Sequence, residues 1–431
     1  MEKGNRVLAF ECGNYIGQTI ILKGWVHRVR HLKSVSFIIL KDRTGYIQCV
    51  LENQFAGMKI ENESAIVIKG IAAATGQQQN GVEIIVEDIS ILSKSETLPF
   101  EVNKKELDAN LDLILNHRLI SMRNERTQAI FKIQSAITGA FQEFMRRNGF
   151  MQMFTPKLVA QGAEGGANVF KLDYFGKEAF LAQSPQLYKQ MMVAAGYERV
   201  YEIAPVFRAE QHNSSRHLNE YTSLDAEMGF IEGFEEIMEM ENEALVHIFQ
   251  YLKETCGNEL AALECEVPDL GEFPRITLEQ AHEILQESFG KSSPEGDLDG
   301  EGELLICKYV QETYESPFVF ITHYPVETRP MYTMPDLEQP GKTKSFDLLF
   351  RGTEITSGGQ RIHEYELLEK SLEEKGLNPL EFESYLNTFK YGAPPHGGFA
   401  IGLERLTAKL LGLNNVREAS AFPRDCDRLV P

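Results

Sequence analysis

Between residues 200 and 230 the chain reads VYEIAPVFRAEQHNSSRHLNEYTSLDAEMGF, two strand-like runs around a polar loop that holds Arg208, Arg216, His212 and His217. A hairpin of this kind can turn guanidinium groups toward a polyphosphate, because the planar fork of arginine matches phosphate oxygens bidentately. Surface loops also carry Arg and His without any ligand, so this segment alone leaves both readings open. A second segment, PPHGGFAIGLERLTAKLLGLNNVREASAFPRD (394–425), runs from a glycine-rich strand into a helix with Glu404 and Arg405 in its first turn. The absence of side chains there lets another group come close to the backbone. In a third, FRGTEITSGGQR (350–361), Arg361 follows a glycine pair, where its fork can grip a carboxylate.

Two look-alikes fall away on spacing. A calcium loop starting at Asp297 needs a bidentate Glu at its last position, where Lys308 stands, so the acidic run from Gly296 to Glu303 is expected to be a solvated loop. Gly341-Lys342-Thr343 ends like a phosphate-binding loop, but the opening glycine of that pattern falls on Asp336.

The elements that must position these groups come in two blocks. From Thr19 to Leu92, β-rich runs (TIILKGWVHRV, SVSFIIL, YIQCVL, SAIVIKGIAAA, VEIIVEDISIL) alternate with turn signals such as Asp42-Arg43-Thr44-Gly45 and Asn80-Gly81. Their spacing predicts an OB-type barrel over residues 1–100. Residues 101–125 read as a polar hinge. The rest, 126–431, opens with an amphipathic helix bearing Ile130, Ile133, Ile137, Phe141 and Phe144 and stopping at Asn148-Gly149. Strand-like runs and helices then follow without regular βαβ alternation. The expectation is therefore α+β, with an antiparallel or mixed sheet flanked by helices and a small insertion around 257–310.

The formal charge of −20 over 431 residues argues at first against a nucleic-acid partner. Its distribution softens that, since residues 1–100 hold 11 basic and 10 acidic side chains and the remainder carries the deficit. Six cysteines lie far apart with no C-x-x-C pair and read as reduced thiols. No apolar run approaches the roughly 18 residues of a bilayer span, and MEKGNRVLAFECGNYIG lacks the apolar middle of a secretion signal. A soluble cytoplasmic protein with no membrane partner is expected.

Taken together, the segments at 200–230 and 394–425 resemble motifs 2 and 3 of class II aminoacyl-tRNA synthetases, and the helix at 127–148 followed by GFMQMFTPKLV, with Pro156, resembles motif 1. Barrel, hinge and catalytic domain in this order are similar to the aspartyl, asparaginyl and lysyl subgroup. The short length and the ending FPRDCDRLVP look most like its archaeal-type aspartyl members.

The resemblance implies an enzyme that activates aspartate with ATP and Mg2+, transfers it to tRNA and forms a homodimer. It puts ATP on Arg208, Glu210, Arg216, His217, Leu218, Tyr221, Glu354 and Arg405, with Arg208 at the α-phosphate, Arg216 and His217 at the outer phosphates and Tyr221 on the adenine. It gives magnesium to Glu354 and Ser357. Aspartate falls to Lys189 and Arg361 for the side-chain carboxylate, to Glu164, Gln186 and Asp225 for the α-amino group, and to Ser357 beside them. Attack of a carboxylate on the α-phosphorus needs positioning and charge neutralisation rather than a protein nucleophile, so Arg208 and Arg405 are the expected catalytic groups. Two cations facing one carboxylate favour aspartate, because asparagine would leave buried charge poorly paired, a loss of roughly 2–5 kcal/mol.

In the barrel, Arg28, Arg30, Phe37 and Gln48 combine an aromatic with donors as a single-stranded RNA platform requires, while Trp25 reads better as core. The resemblance gives Phe37 and Gln48 the central anticodon uracil, and Arg28 and Arg30 backbone or base contacts. His27, after Gly-Trp-Val, resembles enzymes that charge both aspartate and asparagine tRNAs; the opposing GQQQNGVEI leaves this undecided. Ala163 stands where Thr or Ser is expected, and Leu349 where an acidic residue is usual. Three other readings remain: an asparaginyl enzyme; a diverged paralogue forming amides without tRNA, to which an anticodon module would be superfluous; and a non-catalytic RNA-binding protein, against which the retained Arg208, Glu354, Ser357, Arg361 and Arg405 argue.

Overall fold

In the computed structural model residues 6–76, 81–163, 168–211 and 214–431 are described, and the chain divides into two compact units, 1–125 and 126–431. In the first, β1 (Thr19–His31), β2 (Ser36–Asp42), β3 (Gly45–Leu51), β4 (Ala65–Ala74) and β5 (Val82–Ser93) close into a barrel in the order β1-β2-β3-β5-β4. Alternating Ile20, Leu22, Val26, Ile38, Leu40, Ile47, Ile66, Ile68 and Ile84 fill its interior. Asp42 fixes the β2–β3 turn, its Oδ1 accepting from Thr44 N at 2.8 Å. Closure brings strands into contact at Gly70, where a Cβ would lie 2.4 Å from Ile85 O.

The expected hinge folds with this unit. It contains α1 (Leu111–Asn116) and α2 (Arg118–Ser121), and the buried Asn124 amide donates to Val102 O and Lys104 O at 2.9 and 2.8 Å. Lys41 Nζ donates to Arg123 O at 2.7 Å, and Arg123 pairs with Glu63 at 3.2 Å. Trp25, expected in the core, is 42% exposed instead, with the Arg123 guanidinium 5.8 Å from its ring centroid.

The second unit opens on α3 (Glu125–Arg147), whose expected stripe is buried and which stops at Gly149 with φ 79°. Next come β6 (Met151–Gln152), then β7 (Leu158–Val159), β8 (Lys171–Tyr174) and β9 (Lys177–Leu181), the last three forming a small sheet of their own. After α4 (Gln186–Met192) the chain forms β10 (Arg199–Phe207), β11 (Glu220–Gly229), α5 (Glu235–Thr255), α6 (Gly257–Leu263), β12 (Arg275–Thr277), α7 (Leu278–Phe289) and α8 (Gly300–Tyr314). It ends with β13 (Phe318–Thr322), β14 (Ser345–Phe350), β15 (Thr353–Arg361), α9 (Tyr365–Glu374), α10 (Glu383–Phe389), β16 (His396–Gly402) and α11 (Leu403–Leu410).

Eight strands make one sheet, β12-β13-β14-β15-β16-β11-β10-β6, antiparallel throughout except for the β12–β13 and β10–β6 pairs at its edges. One face packs on α3 and α5 through Ile133, Ile137, Phe141, Leu245, Ile248 and Phe249, with Phe318 and Phe350 stacked at 4.2 Å.

Two expectations change. The acidic run is a loop only as far as Asp299, with Asp297 exposed; Asp299 then caps α8, its Oδ1 accepting from Gly302 N at 2.8 Å, because a carboxylate before a helix satisfies an otherwise unpaired backbone donor. The run SFDLLFRGTEI (345–355), which reads by its apolar and β-branched content as a single strand, is two strands, turned at Arg351 and Gly352 with φ 45° and 81°. The region 257–310 adds β12 to the edge of the sheet, while α7 and α8 cover a separate apolar cluster that includes Leu349.

Candidate active site

The other face of the sheet carries the chemistry, and strand register explains why. Asp347, Ser357, Ala400 and Asp225 lie on one rung across β14, β15, β16 and β11. All four line a cavity of about 340 Å³. Side chains alternate along a strand, so Gly398, Glu227 and Arg361 present themselves on the same face further along. Gly398 must be glycine: a Cβ there would lie 2.3 Å from Glu227 Oε2.

At one end of the cavity is the β10–β11 loop. Asn219 closes it, donating to Arg208 O at 2.7 Å and Glu210 O at 2.8 Å. Arg208, Glu210, Arg216, His217, Leu218 and Tyr221 all line the cavity with Glu404 and Arg405. Arg208 lies 5.9 Å from the Tyr221 ring centroid. Glu303, which sequence reasoning passed over inside the acidic run, reaches in from α8 to pair with Arg216 and accepts from Glu354 N at 3.1 Å. Arg405 Nη1 donates to Glu354 O at 3.1 Å.

At the other end Arg361 donates to Glu227 Oε1 at 2.9 Å and Gly398 O at 2.9 Å. Lys189 does not line the cavity. It lies fully buried behind it, 2.9 Å from Asp225 and 3.4 Å from Glu227. The expected pair of cations thus comes with two carboxylates, and only Arg361 of the pair reaches the opening. Burial alone would raise Glu227, but Arg361 and Lys189 hold its carboxyl below the usual range. Asp225 lines the cavity, and its buried Oδ2 has no hydrogen-bond partner among the described residues, an arrangement that suits an incoming ammonium. Gln186 lines the cavity as expected; Glu164 lies outside the described residues.

Glu354 and Ser357 are joined by Asp347, whose Oδ1 accepts from Ser357 Oγ and whose Oδ2 pairs with Arg329 at 2.7 Å. Burial, with repulsion from Asp347 and Glu303, pushes Glu354 up to about 7. The hard oxygen donors of Glu354, Ser357 and Asp347, all lining the cavity, fit a magnesium ion. Asp347 supplies an acid two residues before Leu349, which is buried in the apolar cluster. Ala163 is buried as well.

On the barrel, Arg28, Ile39 and Gln48 share one rung and Arg30, Phe37 and Val50 the next but one. A bulge between Val26 and Arg28 allows this, since uninterrupted alternation would send Arg28 inward with Val26. Arg28 and Arg30 are exposed, Phe37 and Gln48 half-buried, and Gln48 Nε2 donates to Glu83 at 3.0 Å. His27 sits in the bulge, 4.7 Å from the Tyr46 ring centroid, and burial pushes it down to about 4.

Residues 110–426 match the family described as tRNA synthetases class II (D, K and N), and residues 20–92 match the OB-fold nucleic acid binding domain. The chain is 47% identical to the aspartate–tRNA(Asp/Asn) ligase of Thermus thermophilus over 99% of its length and 100% of that protein. It is 44% identical to the aspartate–tRNA(Asp) ligase of Pyrococcus abyssi over 96% and 97% of the two chains. Among solved structures, the asparaginyl-tRNA synthetase of Pyrococcus horikoshii with asparaginyl-adenylate superposes with a TM-score of 0.91 at 30% identity, covering 97% of each chain. With arginines around one sheet converging on a single cavity and an OB-fold barrel earlier in the chain, the chain belongs to the class II tRNA synthetases of the D, K and N group.

Proposed function

We propose that the protein is an aspartate–tRNA ligase that forms aspartyl-adenylate from ATP and passes the aspartyl group to tRNA(Asp) and also to tRNA(Asn). The observation that carries this is the opening of Arg208, Arg216, Arg405 and Arg361 into one cavity together with the carboxylate of Asp225. Arg208 meets the α-phosphate, Arg216 and His217 the outer phosphates, and Tyr221 the adenine. Arg361 grips the substrate's side-chain carboxylate, while Asp225, Gln186 and Glu164 receive its ammonium. One α-carboxylate oxygen bonds to the α-phosphorus as the bond to pyrophosphate breaks, and fixed cations neutralise the charge that builds up. Glu354 and Ser357 hold Mg2+, which supplies further neutralisation of the triphosphate.

The barrel face of Arg28, Arg30, Phe37 and Gln48 takes the anticodon by stacking and hydrogen bonding. Extension to tRNA(Asn) rests on the relatives that carry both names, among them the Thermus thermophilus and Deinococcus radiodurans proteins. We place a two-fold subunit contact on α3 and the segment after it, where Met151, Phe154 and Leu158 are exposed. Pyrophosphate exchange with aspartate and with asparagine tests the first step, and charging of purified tRNA(Asp) and tRNA(Asn) tests the second. Exchange with asparagine alone would overturn the assignment.

A further inference from the structure

Behind Arg361 runs a chain of buried polar groups whose direction is imposed from both ends. His396 Nδ1 lies 2.8 Å from Pro394 O. A carbonyl only accepts, so Nδ1 carries the proton and Nε2 of the neutral ring is an acceptor. Nε2 is 2.9 Å from the Gln190 amide, which must turn its NH2 toward the histidine and its Oε1 away. That oxygen accepts from the Tyr385 hydroxyl at 2.9 Å and from Gln186 Nε2 at 3.2 Å. Gln186 is left with its oxygen toward Arg361 Nη2 at 3.4 Å and its nitrogen toward Glu227 at 3.5 Å. At that far end a guanidinium only donates and a carboxylate only accepts, so the same orientation is demanded independently. A doubly protonated His396 would reverse both amides and set the NH2 of Gln186 against Arg361. His396 and Gln190 are fully buried, and burial holds the imidazole below its usual range, in the neutral form.

We propose that His396, acting through Gln190 and Gln186, is a positioning residue that fixes the hydrogen-bonding polarity around Arg361 and thereby the preference of the amino-acid pocket for a side-chain carboxylate over a carboxamide. The inference rests on the reading of the cavity as an aspartate-activating site. It adds to that reading a control on specificity by groups that do not touch the substrate. Without an acceptor at His396 the Gln190 amide can turn over and set its NH2 against the NH2 of Gln186, which loosens Gln186 and the acceptor it offers Arg361.

The test is pyrophosphate exchange with aspartate and with asparagine, measured for the full chain and for His396→Leu, His396→Gln and Tyr385→Phe. In His396→Leu the amide of Gln190 loses its acceptor. The KM for aspartate is expected to rise roughly tenfold and the preference over asparagine to fall by a similar factor, with the KM for ATP unchanged. His396→Gln, whose Oε1 can stand in for Nε2, restores most of the preference. Tyr385→Phe removes one of two donors to Gln190 and shifts the KM for aspartate by about threefold; it reads the chain even where the leucine variant does not fold. Unaltered preference in the folded variants, or equal rises in both KM values, overturns the inference while leaving the proposed activity in place. A wild-type protein inactive with aspartate overturns both.

Discussion

The Arg361 end of the cavity and the outer face of the barrel solve opposite problems. At and behind this end of the cavity Lys189, Asp225, Glu227 and Arg361 are each less than a tenth exposed and are paired with one another. On the barrel Arg28 and Arg30 are exposed, with Phe37 and Gln48 half-buried beside them. Buried ions cannot rearrange cheaply, so their positions are settled before any ligand arrives. Exposed groups on a platform can adapt to a flexible single strand, each contributing little alone. Selection of a small rigid substrate suits the first arrangement, and of a nucleic acid the second.

The sharpest way to break this contrast is Arg361→Leu. It leaves the buried Glu227 to share Lys189 with Asp225, so stability should fall by about 3 kcal/mol in thermal denaturation and aspartate-dependent exchange should be lost. Adding Glu227→Gln should recover stability but not exchange. Recovery of both would show that the charges are structural only.

A second buried carboxyl sharpens the point from the other side. Glu241, fully buried on α5, is pushed by burial up to about 8. The folded protein therefore keeps a proton that the unfolded chain releases near pH 4.5, and stability contributed below that pH declines as pH rises toward 8. The decline should approach about 4–5 kcal/mol by pH 8 and be flattened in Glu241→Gln; equal pH profiles for the two proteins in chemical denaturation would contradict it.

Effects on the barrel should be smaller and confined to tRNA. Phe37→Ala is expected to weaken charging by about 1–3 kcal/mol in kcat/KM for tRNA while exchange stays at the wild-type level. Arg28→Ala and Arg30→Ala should each reduce the slope of log affinity against log salt by roughly 0.7 in tRNA titrations. A change in exchange from any of the three would break the separation.

The barrel, the helix at 127–148 and the Arg208, Arg361 and Arg405 segments were legible because local patterns carry them: alternation, a helical stripe, glycine beside a charged residue. Trp25 and Arg28 were harder, since a one-residue bulge inverts which side of β1 faces out. Asp299 was read as part of a solvated run because a capping aspartate and a loop aspartate look alike without the helix that follows.

The types of groups in the site, and the order in which the chain delivers them, were settled by sequence alone, since both are written locally. Which of them meet was decided only by the tertiary structure. Glu227, Asp347, Glu303 and His396 acquire their roles from residues 134, 10, 87 and 206 positions away along the chain. Contacts across such separations depend on strand order and register, which no local pattern encodes.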